Sequence, residues 1–225
     1  MSLFTTKRCI SCGEILTRHE EAICLSCRQR MARTFMLPKT MNIAEQRMAQ
    51  KAEVSWGYSH YIFSKADSIV REAVHEFKYH HNRYLAYDMG LEVGAYMKQN
   101  GMTHLFDLIV PVPISWVRRF TREYNQAAEI ARGISEATGV EMRTDILKRR
   151  SWASSQSTRN AEQREESMSS NAFVSKSSIL DVVDRKIALV DDVLTTGATL
   201  AACCRAMREK VPDLAIGVLT FSIDE

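Results

Sequence analysis

Asp191 and Asp192 follow four apolar residues, Ile187 to Val190, and precede Val193-Leu194 and the turn Thr195-Thr196-Gly197-Ala198-Thr199. The apolar run reads as a strand buried on both faces, ending where the acids begin. An alanine-rich helical run starts at Ala198. A tight strand-to-helix turn aims free backbone N–H groups at one point, and the helix dipole adds positive potential there. That suits a phosphate. Gly197 permits φ > 0, and three threonine hydroxyls can donate to phosphate oxygens. Two carboxylates beside such a cradle suit a ribose diol or a magnesium ion attached to it. The stretch therefore reads as a site for a sugar carrying a 5′-phosphate, with the acids at a strand end facing solvent.

A second group is Cys9-x2-Cys12 and Cys24-x2-Cys27. Two such pairs can close a tetrahedral four-thiolate zinc site with no open position, structural and not catalytic. Redox pairs or two disulfides are the competing readings. His19 lies between the pairs as a substitute ligand, and an exposed loop position is expected for it. So short a segment has too little core to fold alone, so the metal supplies its folding energy. Cys203-Cys204 falls in the helix after the phosphate turn, where one thiol is expected in the core and the other half-exposed.

The rest of the chain must position these groups. Residues 1–30 form the zinc module, 31–53 a helical linker interrupted by Pro38, and 54–225 the main domain. Val54 to Phe63 alternates like a strand. Asp67 to Lys78 and Leu85 to Gln99 read as amphipathic helices. Asp107 to Pro113 is a buried strand stopped by prolines. A helix opens at Tyr124-Asn125-Gln126 and closes at Thr138-Gly139. Val140 to Leu147 and Leu214 to Phe221 complete the strands. Ser151 to Ser170 is a long polar loop, a length usually tied to function. Strands alternating with helices make this an α/β fold with a mostly parallel, doubly wound sheet. Ligands in such sheets lie beyond the strands' carboxyl ends, which gathers Val110 to Pro113, Arg149 to Ser170 and Asp191 to Thr199 on one rim.

Phe77 to Tyr84 interleaves basic and aromatic residues, a pattern that can stack bases and hold phosphates or simply form a solvated helix end. The net charge of +3 permits nucleic-acid contact without requiring it. No apolar run approaches the ~20 residues of a membrane span, and the N-terminus lacks an apolar signal core. With cysteines in metal-like spacing, a cytoplasmic protein is expected.

The acid-pair loop resembles the binding motif of type I phosphoribosyltransferases, which grip 5-phosphoribosyl 1-pyrophosphate (PRPP). The whole order of motifs resembles the ComF family: the four-cysteine module, the Val-Pro-Val-Pro strand end, Arg122 to Gln126, a Gln156…Arg164…Asn171-Ala172-Phe173 stretch and the acid-pair loop. The resemblance implies a phosphoribosyltransferase-like domain that binds PRPP, or another phosphoribosyl nucleotide, with magnesium through Asp191, Asp192, Thr195, Thr196, Gly197, Ala198 and Thr199. It implies that Val112-Pro113-Ile114 is the pyrophosphate loop, with Arg118, Arg119 and Arg122 supplying cations and Ser151 to Ser170 acting as a lid. It also implies a role in natural competence, with single-stranded DNA and a helicase as partners. One departure stands out: the family has glycine before the aromatic of Arg-Gly-Phe-Asn-Gln, and here that position is Glu123. Two functions stay open at this level, a transferase with an unidentified acceptor and a non-catalytic accessory that binds nucleotide and single strands.

Overall fold

A computed structural model describes residues 7–64, 68–114, 123–150 and 172–225. Arg118, Arg119, Arg122, the proposed lid, Gln156, Arg164 and Asn171 lie outside the described residues. The core is a four-stranded parallel sheet in the order β1-β6-β5-β2. Its strands are β1 (Trp56–Phe63), β2 (Leu108–Pro111), β5 (Ile187–Leu194) and β6 (Ile216–Asp224). β5 lies inside the sheet, which is why Ile187 to Val190 are buried on both faces. The expected class, α/β with a mostly parallel sheet and a small N-terminal cysteine module, is observed.

Helices α3 (Ser68–Tyr79), α4 (Arg83–Gln99) and α5 (Gln126–Thr138) lie where the apolar periodicity puts them. α4 and α5 touch backbone to backbone at two glycines: a Cβ on Gly90 would sit 2.2 Å from the Ile130 carbonyl oxygen, and one on Gly133 2.1 Å from that of Tyr87. That close seating holds the start of α5 against β2. α6 (Ala198–Arg208) follows the glycine turn at Gly197. A two-stranded antiparallel hairpin, β3 (Leu147–Arg149) with β4 (Phe173–Ser175), brings the two ends of the 151–171 segment together, with the Arg150 N–H donating to the Ala172 carbonyl at 2.9 Å.

Three expectations need correction. β5 does not end before the acids but continues to Leu194, because nine-residue β6 offers Thr220, Ser222 and Ile223 as further ladder partners. Val140 to Leu147 is not one strand: Met142 makes a single parallel bridge to Ile109, and β3 starts only at Leu147. Between them Arg143 grips Asp145 two residues on, and Ser178 Oγ takes the Asp145 carbonyl, so the chain bends away. The 31–53 segment is one helix, α2 (Ile43–Ala49), and a linker, in which residues 32–34 join the open edge of β1 and Phe35, Lys39 and Met41 have left-handed backbone that no helix continues through. Cys203 and Cys204 are both buried, since α6 shares an apolar cluster with Leu189, Ile216 and Val218 of the sheet and also meets the β3–β4 hairpin. Burial pushes the Cys204 thiol up to about 11 and Cys203 well above its ordinary value, so both are inert thiols.

Candidate functional site

The four N-terminal cysteines converge. Their sulfurs all lie within 4.8 Å of one another, and the described cysteines are all free thiols, which removes the disulfide reading. His19 is exposed and outside the cluster. α1 (Leu25–Gln29) carries Cys27 inward. Burial raises the Cys9 thiol, but N–H groups of Cys12, Cys24 and Ser11 more than offset it and bring it down to about 6. At Cys12 the Glu14 N–H favours the thiolate, yet burial and the neighbouring sulfurs outweigh it and push the thiol up to about 12. Four sulfurs this close cannot all ionise without a cation among them. The donor set therefore fits zinc: four sulfurs, three of them on buried residues, around one point. Arg30 supports it by donating to Cys27 Sγ at 3.1 Å. The module shares a continuous apolar core with β1 and α4, and Arg28 pairs with Asp88 of α4.

The acid pair lies on β5, inside the sheet. Each carboxylate turns one oxygen back on the chain: Asp191 Oδ1 accepts the Asp192 N–H at 2.9 Å, and Asp192 Oδ1 accepts the Val193 N–H at 2.7 Å. Asp192 does not face solvent freely. Its Oδ2 lies 3.0 Å from Lys78 Nζ, with side-chain exposures of 14% for Asp192 and 18% for Lys78. The free-carboxylate expectation is corrected by a cation from α3, a helix more than a hundred residues earlier in the chain.

The turn after the acids is built as expected at its key point. Gly197 has φ 77° and caps α6, and among the described residues no side chain satisfies the first N–H groups apart from a long contact of the Ala198 N–H with Thr196 Oγ1 at 3.4 Å. Thr195, Thr196 and Thr199 are exposed. Such a turn offers N–H and hydroxyl donors to an anion. A Cβ on Gly197 would point at Met48 Sδ, 3.0 Å away, not at the cradle; the glycine serves the backbone angle and a close seat on α2. Arg47, one residue earlier on α2, donates through Nη1 to the carbonyls of Leu194, Thr195 and Asp224 at 3.1, 2.9 and 2.7 Å. It fixes the loop's carbonyls outward from the cradle. Nothing in the spacing of the sequence marked Arg47.

The proposed pyrophosphate loop follows β2. The Val112 N–H donates to the Val190 carbonyl at 2.9 Å, so Val112-Pro113-Ile114 leaves the sheet beside the acid pair's strand. Tyr124, Asn125 and Gln126 act as a clamp. Tyr124 Oη and Gln126 Nε2 both donate to the Phe77 carbonyl at the end of α3, the second at 3.4 Å, and Asn125 Nδ2 donates to the Val112 carbonyl at 3.0 Å. Glu123 has φ 60°, the left-handed region that glycine occupies without strain. The glycine of the family pattern thus has a backbone reason, and Glu123 adopts that angle here. A cavity of about 630 Å3 opens beside Pro113 and Ile114, with Arg83, Glu129, Lys148, Arg149 and Lys176 on its walls. Of the basic–aromatic stretch, Lys78 is on Asp192 and Arg83 on Glu129, so both cations are held within the protein.

Set beside known proteins, the chain is 28% identical over 222 residues to "Competence protein F" of Haemophilus influenzae, across 93% of this chain and 94% of that one. The chain is thus similar over nearly its whole length to a competence protein. No family model matches it. Two solved structures overlap it in part. One is the glutamine PRPP amidotransferase from B. subtilis complexed with ADP and GMP, 16% identical with a TM-score of 0.43, matching 66% of this chain and 30% of that one. The other is the allosteric regulatory enzyme of purine biosynthesis, 15% identical with a TM-score of 0.40, matching 64% of this chain and 30% of that one. Among the described residues, no helix is long and apolar enough to cross a membrane.

Proposed function

We propose that this ComF-like chain binds PRPP, or a related phosphoribosyl nucleotide, at Asp191 to Thr199 and acts in natural competence. The observation that carries the reading is the pairing of two carboxylates at the end of β5 with the left-handed Gly197 turn at the start of α6. Asp191 and Asp192 would hold the ribose hydroxyls, while Thr195, Thr196, Gly197, Ala198 and Thr199 would take the 5′-phosphate through N–H and hydroxyl donors. Arg47 keeps that loop in place from behind. Val112, Pro113 and Ile114 would border the pyrophosphate, with Lys148, Arg149 and Lys176 of the nearby cavity as cations. Arg118, Arg119 and Arg122 keep the same proposed role. Magnesium, when bound with the ligand, would neutralise charge on the pyrophosphate and diol. Zinc on Cys9, Cys12, Cys24 and Cys27 would hold the N-terminal module on α4.

Phosphoribosyl transfer develops positive charge at the anomeric carbon as pyrophosphate leaves, and the protein's part is to orient the ribose and stabilise the leaving group. The similarity to a competence protein supports single-stranded DNA and a helicase as partners in the same setting. The test is calorimetry with PRPP and magnesium on the wild type, D191N and the D191N/D192N pair. Wild-type binding that drops at least tenfold in the pair supports the reading. Well-folded wild type that binds no PRPP with magnesium present would sink it. Pyrophosphate release in the presence of candidate acceptors then separates a transferase from a binding protein without turnover.

A further inference from the structure

Lys78 has a place that the function above does not explain. It sits in the last turn of α3 and reaches across to a carboxylate on β5. Two side chains hold that turn in place, and the one between them holds the end of β2. Tyr124 and Gln126 grip the carbonyl of Phe77, the residue before Lys78, and Asn125 between them grips the pyrophosphate loop at Val112. Phe77 itself is fully buried, so the stem of Lys78 starts from a fixed point. With one oxygen of Asp192 on the Val193 N–H and the other on the ammonium, little of that carboxylate remains open, as its 14% exposure states.

We propose that Lys78 is the resident counter-ion of Asp192, and that a divalent cation or a ribose hydroxyl reaches this carboxylate only by displacing the ammonium. The inference rests on the reading of Asp191 to Thr199 as a ribose-phosphate site and adds how entry to it is controlled. A carboxylate this far hidden from water needs a positive partner, and the fixed ammonium supplies it. The same ammonium competes with any cation for the same oxygen. Its long flexible stem has somewhere to go. Lys78 also lines a cavity of about 590 Å3 between α3, Phe63 and Ile10, whose wall includes the carboxylates of Glu72 and Glu76. An ammonium leaving Asp192 can turn toward these two acids, which share the wall with Arg71 and His75. Exchange of one partner for another keeps the step small, so a cation arriving with a nucleotide can drive it.

The experiment reads the acids with metal alone. Mn2+, a hard cation that takes the same oxygen ligands as magnesium, is titrated into the zinc-loaded full chain and its free fraction followed by electron paramagnetic resonance. K78M and K78Q keep the stem and remove the charge. Each should bind Mn2+ on the order of tenfold more tightly than wild type, the scale one neighbouring unit charge sets in a partly exposed site. K78R, which keeps the charge, should match wild type, and K78M/D192N should lose the gain. Equal or weaker Mn2+ binding by K78M and K78Q overturns the proposal. If neither variant folds, the wild type decides: the lysine 13Cε signal that disappears in K78R should move on adding Mg2+, and an unmoved signal overturns the proposal. The outcomes separate the two ideas. Tighter Mn2+ binding by K78M with no PRPP binding by wild type keeps the counter-ion and removes the ligand. PRPP binding with no change in Mn2+ affinity does the reverse.

Discussion

Gly197 and Gly139 share a backbone angle and differ in surroundings, which makes them a matched pair for testing the phosphate turn. Gly197 has φ 77° and Gly139 φ 81°. A Cβ on Gly139 would meet nothing within 4 Å, whereas one on Gly197 would lie 3.0 Å from Met48 Sδ and 3.6 Å from Leu194 Cδ1. Alanine in left-handed backbone costs about 1–2 kcal/mol, offset in part by a gain of about 0.4–1 kcal/mol from a stiffer unfolded chain. G139A should therefore destabilise by about 1 kcal/mol. G197A adds the displacement of Met48, a fully buried side chain whose thioether must give by a few tenths of an ångström. That adds about 0.5–1.5 kcal/mol, the cost of an off-rotamer side chain. For a chain of this size, G139A should lower the melting temperature by about 2–4 °C and G197A by about 4–8 °C. The functional readout is sharper. Pushing the turn off α2 moves its N–H groups relative to the acids, so G197A should weaken PRPP binding while G139A leaves it unchanged. Thermal melts and PRPP calorimetry on the three proteins decide it. G197A that melts with G139A and binds PRPP as wild type does would refute both the tight seat on α2 and the role of the turn.

Two further outcomes follow from groups away from the turn. His60 is buried between β1 and Tyr96 of α4, shares a 2.8 Å hydrogen bond with Tyr58 Oη, and has no partner for Nε2 among the described residues. Burial, helped by the charge of Arg33, lowers its pKa to about 3. Since the folded value lies below the unfolded one, its stabilisation is complete above about pH 6.5 and is lost as pH falls toward 3, by about 1.4 kcal/mol per unit. Urea melts at pH 7.5 and pH 5 should show wild type losing about 2 kcal/mol more than H60F, and equal losses would contradict the burial argument. For the cysteine cluster, elemental analysis of protein purified without chelator should find one zinc per chain. Stripping that zinc should lower the melting temperature, because the module shares its core with β1 and α4. A metal-free chain that melts unchanged would remove zinc from the fold.

What the sequence determined by itself is what short-range spacing encodes. Two CxxC pairs place four sulfurs on two tight knuckles, and they meet within 4.8 Å. A strand, two acids and a hydroxyl–glycine turn specify a left-handed Gly197 at a helix start, and it is found there. Apolar periodicity located α3, α4 and α5 to within a few residues, because the buried face of a helix is written in its own sequence. Tertiary structure decided everything that depends on which elements become neighbours. Strand β5 runs through the acids only because β6 lies beside it with residues to pair. Lys78 belongs to Asp192, and not to an open nucleic-acid face, because α3 ends above β5. Arg47 holds a loop 147 residues away, and Tyr124-Asn125-Gln126 ties α3 to the end of β2. Cys203 and Cys204 are both covered because α6 meets both the sheet and the β3–β4 hairpin. Long flexible cations and side-chain amides carry no periodicity, and their partners are chosen by the packing of helices onto the sheet. The local geometry was therefore readable from local order, while the electrostatic state of the candidate site was not.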